Sequence, residues 1–124
     1  MNMLDLLDTY PKAATVVKQW FLDKMLESLK DDTLPEDFKE YVRQQGIDSN
    51  KIAKIVGDNP RSLFDVFDKN KLYINIDIFI NTDETAKFNW SINTNNGGAA
   101  LYQSRRDAEK DAVTKAFEML NNKL

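Results

Sequence analysis

Cysteine and histidine are both missing from the 124 residues, and the two absences remove most of the common reaction chemistry. Without cysteine there is no disulfide framework, no thiolate zinc or iron–sulfur site and no thiol nucleophile. Without histidine the commonest general base and metal ligand is gone, and with it the Ser-His-Asp and Cys-His arrangements. Glycine (4) and proline (3) are scarce, and no linker rich in them divides the chain. Neither a phosphate-cradling glycine loop, a GxSxG elbow nor an EF-hand loop occurs. No apolar run approaches the ~20 residues needed to span a bilayer. Met1 to Asp8 lacks a basic region and carries two acids, so no secretory leader is expected and a cytoplasmic location is. Positive charge is not in excess either. Seventeen Lys and Arg face 20 Asp and Glu, a net charge of −3 that gives no global attraction to polyanions.

What is present suits one domain over residues 1–124, with 42% apolar residues. A chain of this size buries about 70% of its unfolded surface, enough for a core without staples. Residues 1–69 read as helical. Pro11 suits a first helical position. From Lys12 to Lys30, Val17, Phe21, Leu22, Met25, Leu26 and Leu29 form an apolar arc wide enough to imply a central helix with contacts on two sides. Thr33 and Glu36 have capping-box spacing ahead of a face made by Phe38, Tyr41 and Val42, with Gly46 as the stop. Asp48 can cap a third helix that buries Ile52, Ile55 and Val56 and ends at Gly57. Asn59-Pro60 opens a fourth, filled by Leu63, Phe64, Val66 and Phe67. Leu4, Leu6 and Leu7 seal the end of this bundle.

Residues 70–124 change period. Leu72, Ile74, Ile76, Ile78 and Ile80 alternate with Tyr73, Asn75, Asp77, Phe79 and Asn81, a strand pattern. Phe88, Trp90 and Ile92 repeat it, with a turn over 81–86 between. Asn95-Asn-Gly-Gly98 is a second turn, after which Ala99 to Tyr102 can add a short strand. Ser104 caps a last helix whose Ala108, Ala112 and Ala116 make a small-residue stripe suited to lying against the isoleucine face. The expected fold is therefore α+β. A bundle of about four helices leads into an antiparallel hairpin or three-stranded meander closed by a C-terminal helix. Trp20 and Trp90 read as core anchors or edge-of-core residues.

Acids are the remaining catalytic material, as Asp31-Asp32, Asp65 with Asp68, and Asp83-Glu84. Asp65 and Asp68 can share a helix face, but a solvated helix end accounts for them, and the other pairs fall in turns, where acids bond locally. No catalytic residue, metal site or cofactor is expected, and the chain does not read as an enzyme. The outer face of the hairpin is the candidate protein-binding surface. Tyr73, Asn75, Phe79, Asn89, Ser91 and Asn93 make it neutral and amide-rich with two aromatics, a composition that suits a protein contact or self-association.

Two partial resemblances point elsewhere. Ser104, Arg105, Arg106 and Ala108, following strands, resemble the opening of the last helix of double-stranded RNA-binding domains, over residues 71–120. That resemblance implies cations straddling phosphates across a groove. Glu109 and Asp111 depart from it. Ile52, Ala53, Val56, Gly57, Leu63 and Val66 are spaced as in helix-turn-helix units, so residues 48–93 resemble a winged-helix domain with the hairpin as wing. Asp58, Asp65 and Asp68 depart from that pattern, because acids on a reading helix repel the backbone. On either resemblance Arg61, Lys69, Lys71, Lys87, Arg105 and Arg106 are the phosphate contacts. In size, acidic balance and Asn/Lys/Ile bias the chain is similar to small accessory proteins of bacteriophages and prophages. The sequence thus leads to a non-enzymatic protein-binding accessory domain, with a nucleic-acid-binding module as the alternative, and to no membrane association.

Overall fold

The computed structural model describes residues 2–28, 35–93, 95–96 and 101–124. Its helical half begins one element earlier than the periodicity predicts. Asn2 caps helix α1 (Met3–Thr9) by accepting the Asp5 N–H at 2.9 Å, and Leu6 and Leu7 enter the core. Pro11 then opens α2 (Pro11–Ser28), where its missing N–H costs nothing. The free N–H groups of Lys12 and Ala13 donate to Asn121 Oδ1 at 2.9 and 3.2 Å, so the far end of the chain caps this helix.

Helices α3 (Glu36–Gln45) and α4 (Ser49–Asp58) follow, then a 3-10 turn (Pro60–Leu63) and α5 (Phe64–Lys69). Gly46 ends α3 at φ +68°, and Asp48 caps α4 by accepting the Asn50 N–H at 3.0 Å. Helix α5 ends in a Schellman arrangement. Lys71 is left-handed (φ 62°) and its N–H donates to the Asp68 carbonyl, while the Leu72 N–H reaches the Phe67 carbonyl at 2.8 Å. The described helical half therefore holds five α-helices and a 3-10 turn where about four helices were expected. Phe38 and Tyr41 of α3 and Ile55 of α4 are exposed, so those faces are less buried than the spacing predicts. The expected cap at Thr33 and the Asp31-Asp32 pair lie outside the described residues.

Strands β1 (Ile74–Ile80) and β2 (Ala86–Ile92) pair antiparallel, in register from Ile74 opposite Ile92 to Ile80 opposite Ala86. A short β3 (Asn95–Asn96) returns along β2, giving the order β1-β2-β3. The third strand was expected at 99–102, but Asn95 and Asn96, read as a turn, form it instead. Of the expected segment, Tyr102 makes a single bridge to Phe88; residues 97–100 lie outside the described set.

Helix α6 (Arg105–Lys123) starts at Ser104, whose Oγ accepts the Asp107 N–H at 3.1 Å. Ala108, Ala112 and Ala116 are fully buried, so the helix backbone lies close on the sheet. This helix packs against β1, β2, α2, α5 and the 3-10 turn, and holds the central position expected of α2. The reason is lateral reach: three alanines let two layers approach α6, whereas Leu22, Met25 and Leu26 of α2 are only half-buried. Buried residues from both halves of the chain form one core cluster, with Phe67 and Phe117 edge-to-face at 5.6 Å. Among the described residues no helix is long and apolar enough to cross a membrane.

Candidate functional site

The outer face of the hairpin is not covered by the described helices. Tyr73, Asn75, Asp77 and Phe79 are exposed, and Asn89 and Ser91 are half-buried. The face is nevertheless not one aromatic patch. Tyr73 and Phe79 are six residues apart along an extended strand, about 20 Å. Several of its amides also have internal work. Asn75 Nδ2 donates to Asp77 Oδ1 at 2.8 Å, and Asn89 Oδ1 accepts the Trp90 N–H at 2.8 Å. Asn93 is a latch: in the left-handed region (φ 55°), it accepts the Tyr73 N–H at 2.9 Å and donates to the Lys71 carbonyl at 3.0 Å. Its side chain holds the strand entry in place.

Apolar exposure gathers instead at the free end of the hairpin. Ile78, Phe79 and Ile80 are 46%, 49% and 74% exposed. The register explains this. The Arg105 guanidinium, at the first residue of α6, lies 5.6 Å from the centre of the Phe88 ring, and Phe88 pairs with Ile78. The helix therefore covers the isoleucine face only as far as that level. Ile74 and Ile76 pack on the core, while Ile80 lies beyond the helix start. Asn81 to Thr85 close the hairpin, with Glu84 left-handed (φ 67°) and the Asn81 N–H donating to the Thr85 carbonyl at 2.8 Å. The Asp83 carboxylate accepts both the Thr85 hydroxyl (2.6 Å) and its N–H (3.1 Å), and these bonds hold its pKa below the usual carboxylate value.

Strand β1 is also an open edge among the described residues, because β2 and β3 lie on its other side. The Asn93 N–H donates to the Tyr73 carbonyl and the Asn81 N–H to the Thr85 carbonyl, which fixes the phase of the ladder. Antiparallel pairs alternate, so odd-numbered residues of β1 bond to β2. The N–H and C=O groups of Ile74, Ile76, Ile78 and Ile80 point outward.

The six cations of the nucleic-acid reading are not gathered into a free patch. Arg61 Nε donates to Glu109 Oε1 at 2.6 Å, and that carboxylate side chain is only 7% exposed. Arg106 donates to the Asp58 carbonyl at 2.7 Å, and Arg105 stacks on Phe88. Lys69 and Lys71 are exposed at the end of α5, and Lys87 is half-buried on β2. The acids that break the RNA-binding pattern are structural. Glu109 anchors Arg61, and Asp111 accepts both the Trp90 indole N–H (2.8 Å) and the Tyr102 hydroxyl, tying α6 to the sheet. The bond to Asp111, and then partial burial, raise the Tyr102 pKa above that of a free phenol.

Asp65 and Asp68 are exposed at the end of α5, and Asp83 and Glu84 serve the hairpin turn. Among the described residues no group of three or more acids is placed to hold a metal. A largely apolar cavity of about 440 Å3 opens between α1, α4 and α6, with Leu4, Ala53, Val56 and Val113 in its lining and Lys110 at its rim. Sequence reasoning missed this cavity, because it arises where α1 docks and α1 was not read as a helix. It also missed the tip, although a signal was present: the apolar alternation of β1 runs on to Ile80, two residues past the Ile78–Phe88 pair at which α6 begins. No family model, no curated protein and no solved structure matches the chain.

Proposed function

We propose that the chain is a non-enzymatic protein-binding accessory domain that engages its partner through the hairpin tip and the open edge of β1. The observation that carries this reading is the run Ile78-Phe79-Ile80, about half or more exposed on a strand whose outward backbone groups have no ladder partner among the described residues. Water-exposed apolar clusters of this kind favour association, and an open edge adds directional hydrogen bonds. Tyr73, Asn75, Asn89 and Ser91 extend the surface toward the body of the domain, and Asn93 supports it from behind. The alternative, a winged-helix-like or double-stranded-RNA-binding-like module, has less to draw on, since three of its six cations are occupied within the chain.

The test is a comparison of wild type with Phe79→Ala/Ile80→Lys and with Tyr73→Ala in quantitative affinity purification. The tip variant is expected to lose the wild type's specific partner or self-association at unchanged melting temperature, and Tyr73→Ala to weaken it less. The same bound set for all three proteins would overturn the reading.

A further inference from the structure

We infer that the partner of the β1 edge is the β1 edge of a second copy of this chain, paired antiparallel about a two-fold axis through Phe79. The inference deepens the proposed function and rests on it. Its basis is that, of the registers the ladder phase allows, one alone sets the exposed Ile78 and Ile80 of the two copies against each other. An axis at Ile76 spares Asp77 but places Ile80 opposite the buried Leu72. A two-fold axis at Asp77 sets two carboxylates against each other in a close, non-hydrogen-bonded pair. An axis at Ile78 presses the same carboxylate against Phe79 of the other copy.

With the axis at Phe79 these conflicts vanish. Ile78 faces Ile80 of the second copy, Ile80 faces its Ile78, and the two phenyl rings meet across the axis. Asp77 falls opposite Asn81 of the second copy, an amide in place of a charge. The outward N–H and C=O groups of Ile78 and Ile80 then exchange four backbone hydrogen bonds with the second copy, the phase that the ladder to β2 already dictates. On the inner face the exposed Ile78 and Ile80 of the two copies meet, and on the outer face Phe79 meets Phe79.

None of the usual protections against such pairing is present. Ile74–Ile80 contains no proline and no lysine, pairs with β2 residue for residue without a bulge, and has Asp77 as its one charge. Asp77 in turn points to the outer face, bonded to Asn75, and limits the register of pairing without closing the edge.

The absence of native cysteine makes the test direct. Directly opposed residues in a non-hydrogen-bonded pair have Cα atoms about 4.5 Å apart, within disulfide reach. Phe79→Cys should therefore form a disulfide-linked dimer rapidly under mild oxidation, whereas Asp77→Cys, four residues out of register with itself, should not. Sedimentation of the wild type up to about 1 mM should show a reversible dimer that Ile80→Lys abolishes with its circular dichroism unchanged. Equal cross-linking of Phe79→Cys and Asp77→Cys, or a wild type that stays monomeric, overturns self-pairing. If the wild type stays monomeric while the tip variant still loses another bound protein, the binding reading stands and the second copy alone is refuted. If nothing is lost, both fall.

Discussion

Replacing Arg61 by alanine tests whether the most basic residue of the 3-10 turn is a structural group or a free one. The change strands the Glu109 carboxylate, whose side chain is 7% exposed and which accepts the Arg61 Nε–H at 2.6 Å. Removing one partner from a fully buried pair costs about 3–5 kcal/mol. Arg61 itself is 54% exposed, so water can reach part of the space it leaves, and a loss of about 2–3 kcal/mol is expected. For a domain of this size that corresponds to a fall in Tm of about 10 °C. Glu109→Ala should cost less, about 1 kcal/mol, because the remaining guanidinium rehydrates at the surface. The double variant should resemble Glu109→Ala, giving a coupling energy of about 2 kcal/mol in a double-mutant cycle. Urea denaturation followed by circular dichroism at neutral pH measures all four proteins. An Arg61→Ala protein within about 0.5 kcal/mol of wild type, or additive single losses, would show that the Arg61–Glu109 pair does not hold the fold together.

Three further outcomes are expected. Asp111→Ala should destabilise by about 3 kcal/mol, because the Trp90 indole N–H and the Tyr102 hydroxyl both lose their acceptor, while Asp111→Asn should cost about 1. Both changes should lower the Tyr102 pKa in a difference titration against Tyr102→Phe. Since the folded pKa is raised, the Tyr102 contribution is complete below the ordinary phenol pKa and is lost as pH rises through the folded value. Asn93→Ala should cost about 2–3 kcal/mol, through two lost hydrogen bonds and a left-handed backbone, with Asn93→Gly in between; equal losses would contradict the backbone part. Gly57→Ala should stabilise by about 0.5–1 kcal/mol in thermal melts, because a Cβ there meets nothing within 4 Å and the glycine sits inside α4.

The parts of the fold that follow from period and capping were legible in the residues. Pro11, Asp48 and Ser104 start helices where their chemistry predicts, and the Ile74–Ile80 alternation gives β1 with its register face correct. Helix α1 was not, because seven residues span only two turns, too few for Met3, Leu6 and Leu7 to establish a period beside the exposed Leu4. The rank of α6 over α2 was also hidden. Width of an apolar arc signals burial, yet closeness of approach is set by small residues, and three alanines count for little on any hydropathy scale. Of the candidate surface, the exposure of Tyr73, Asn75 and Phe79 was readable from polar alternation. The latch at Asn93 was not, since it depends on a left-handed backbone meeting the Lys71–Tyr73 segment 20 residues away in sequence. Nor was the shift of weight from the aromatic pair to the tip, which depends on where α6 begins relative to the Phe88–Ile78 pair.

The outward edge of β1 at the hairpin tip is the proposed association surface. Residue-resolved amide exchange at low and high protein concentration tests it most directly. In dilute protein the amides of Asn75, Asp77 and Phe79 should exchange slowly and those of Ile76, Ile78 and Ile80 fast. On concentration, Ile78 and Ile80 should become protected while Ile76 stays fast. Fast exchange at Ile78 and Ile80 at every concentration, or protection that spreads evenly along β1, would contradict the account.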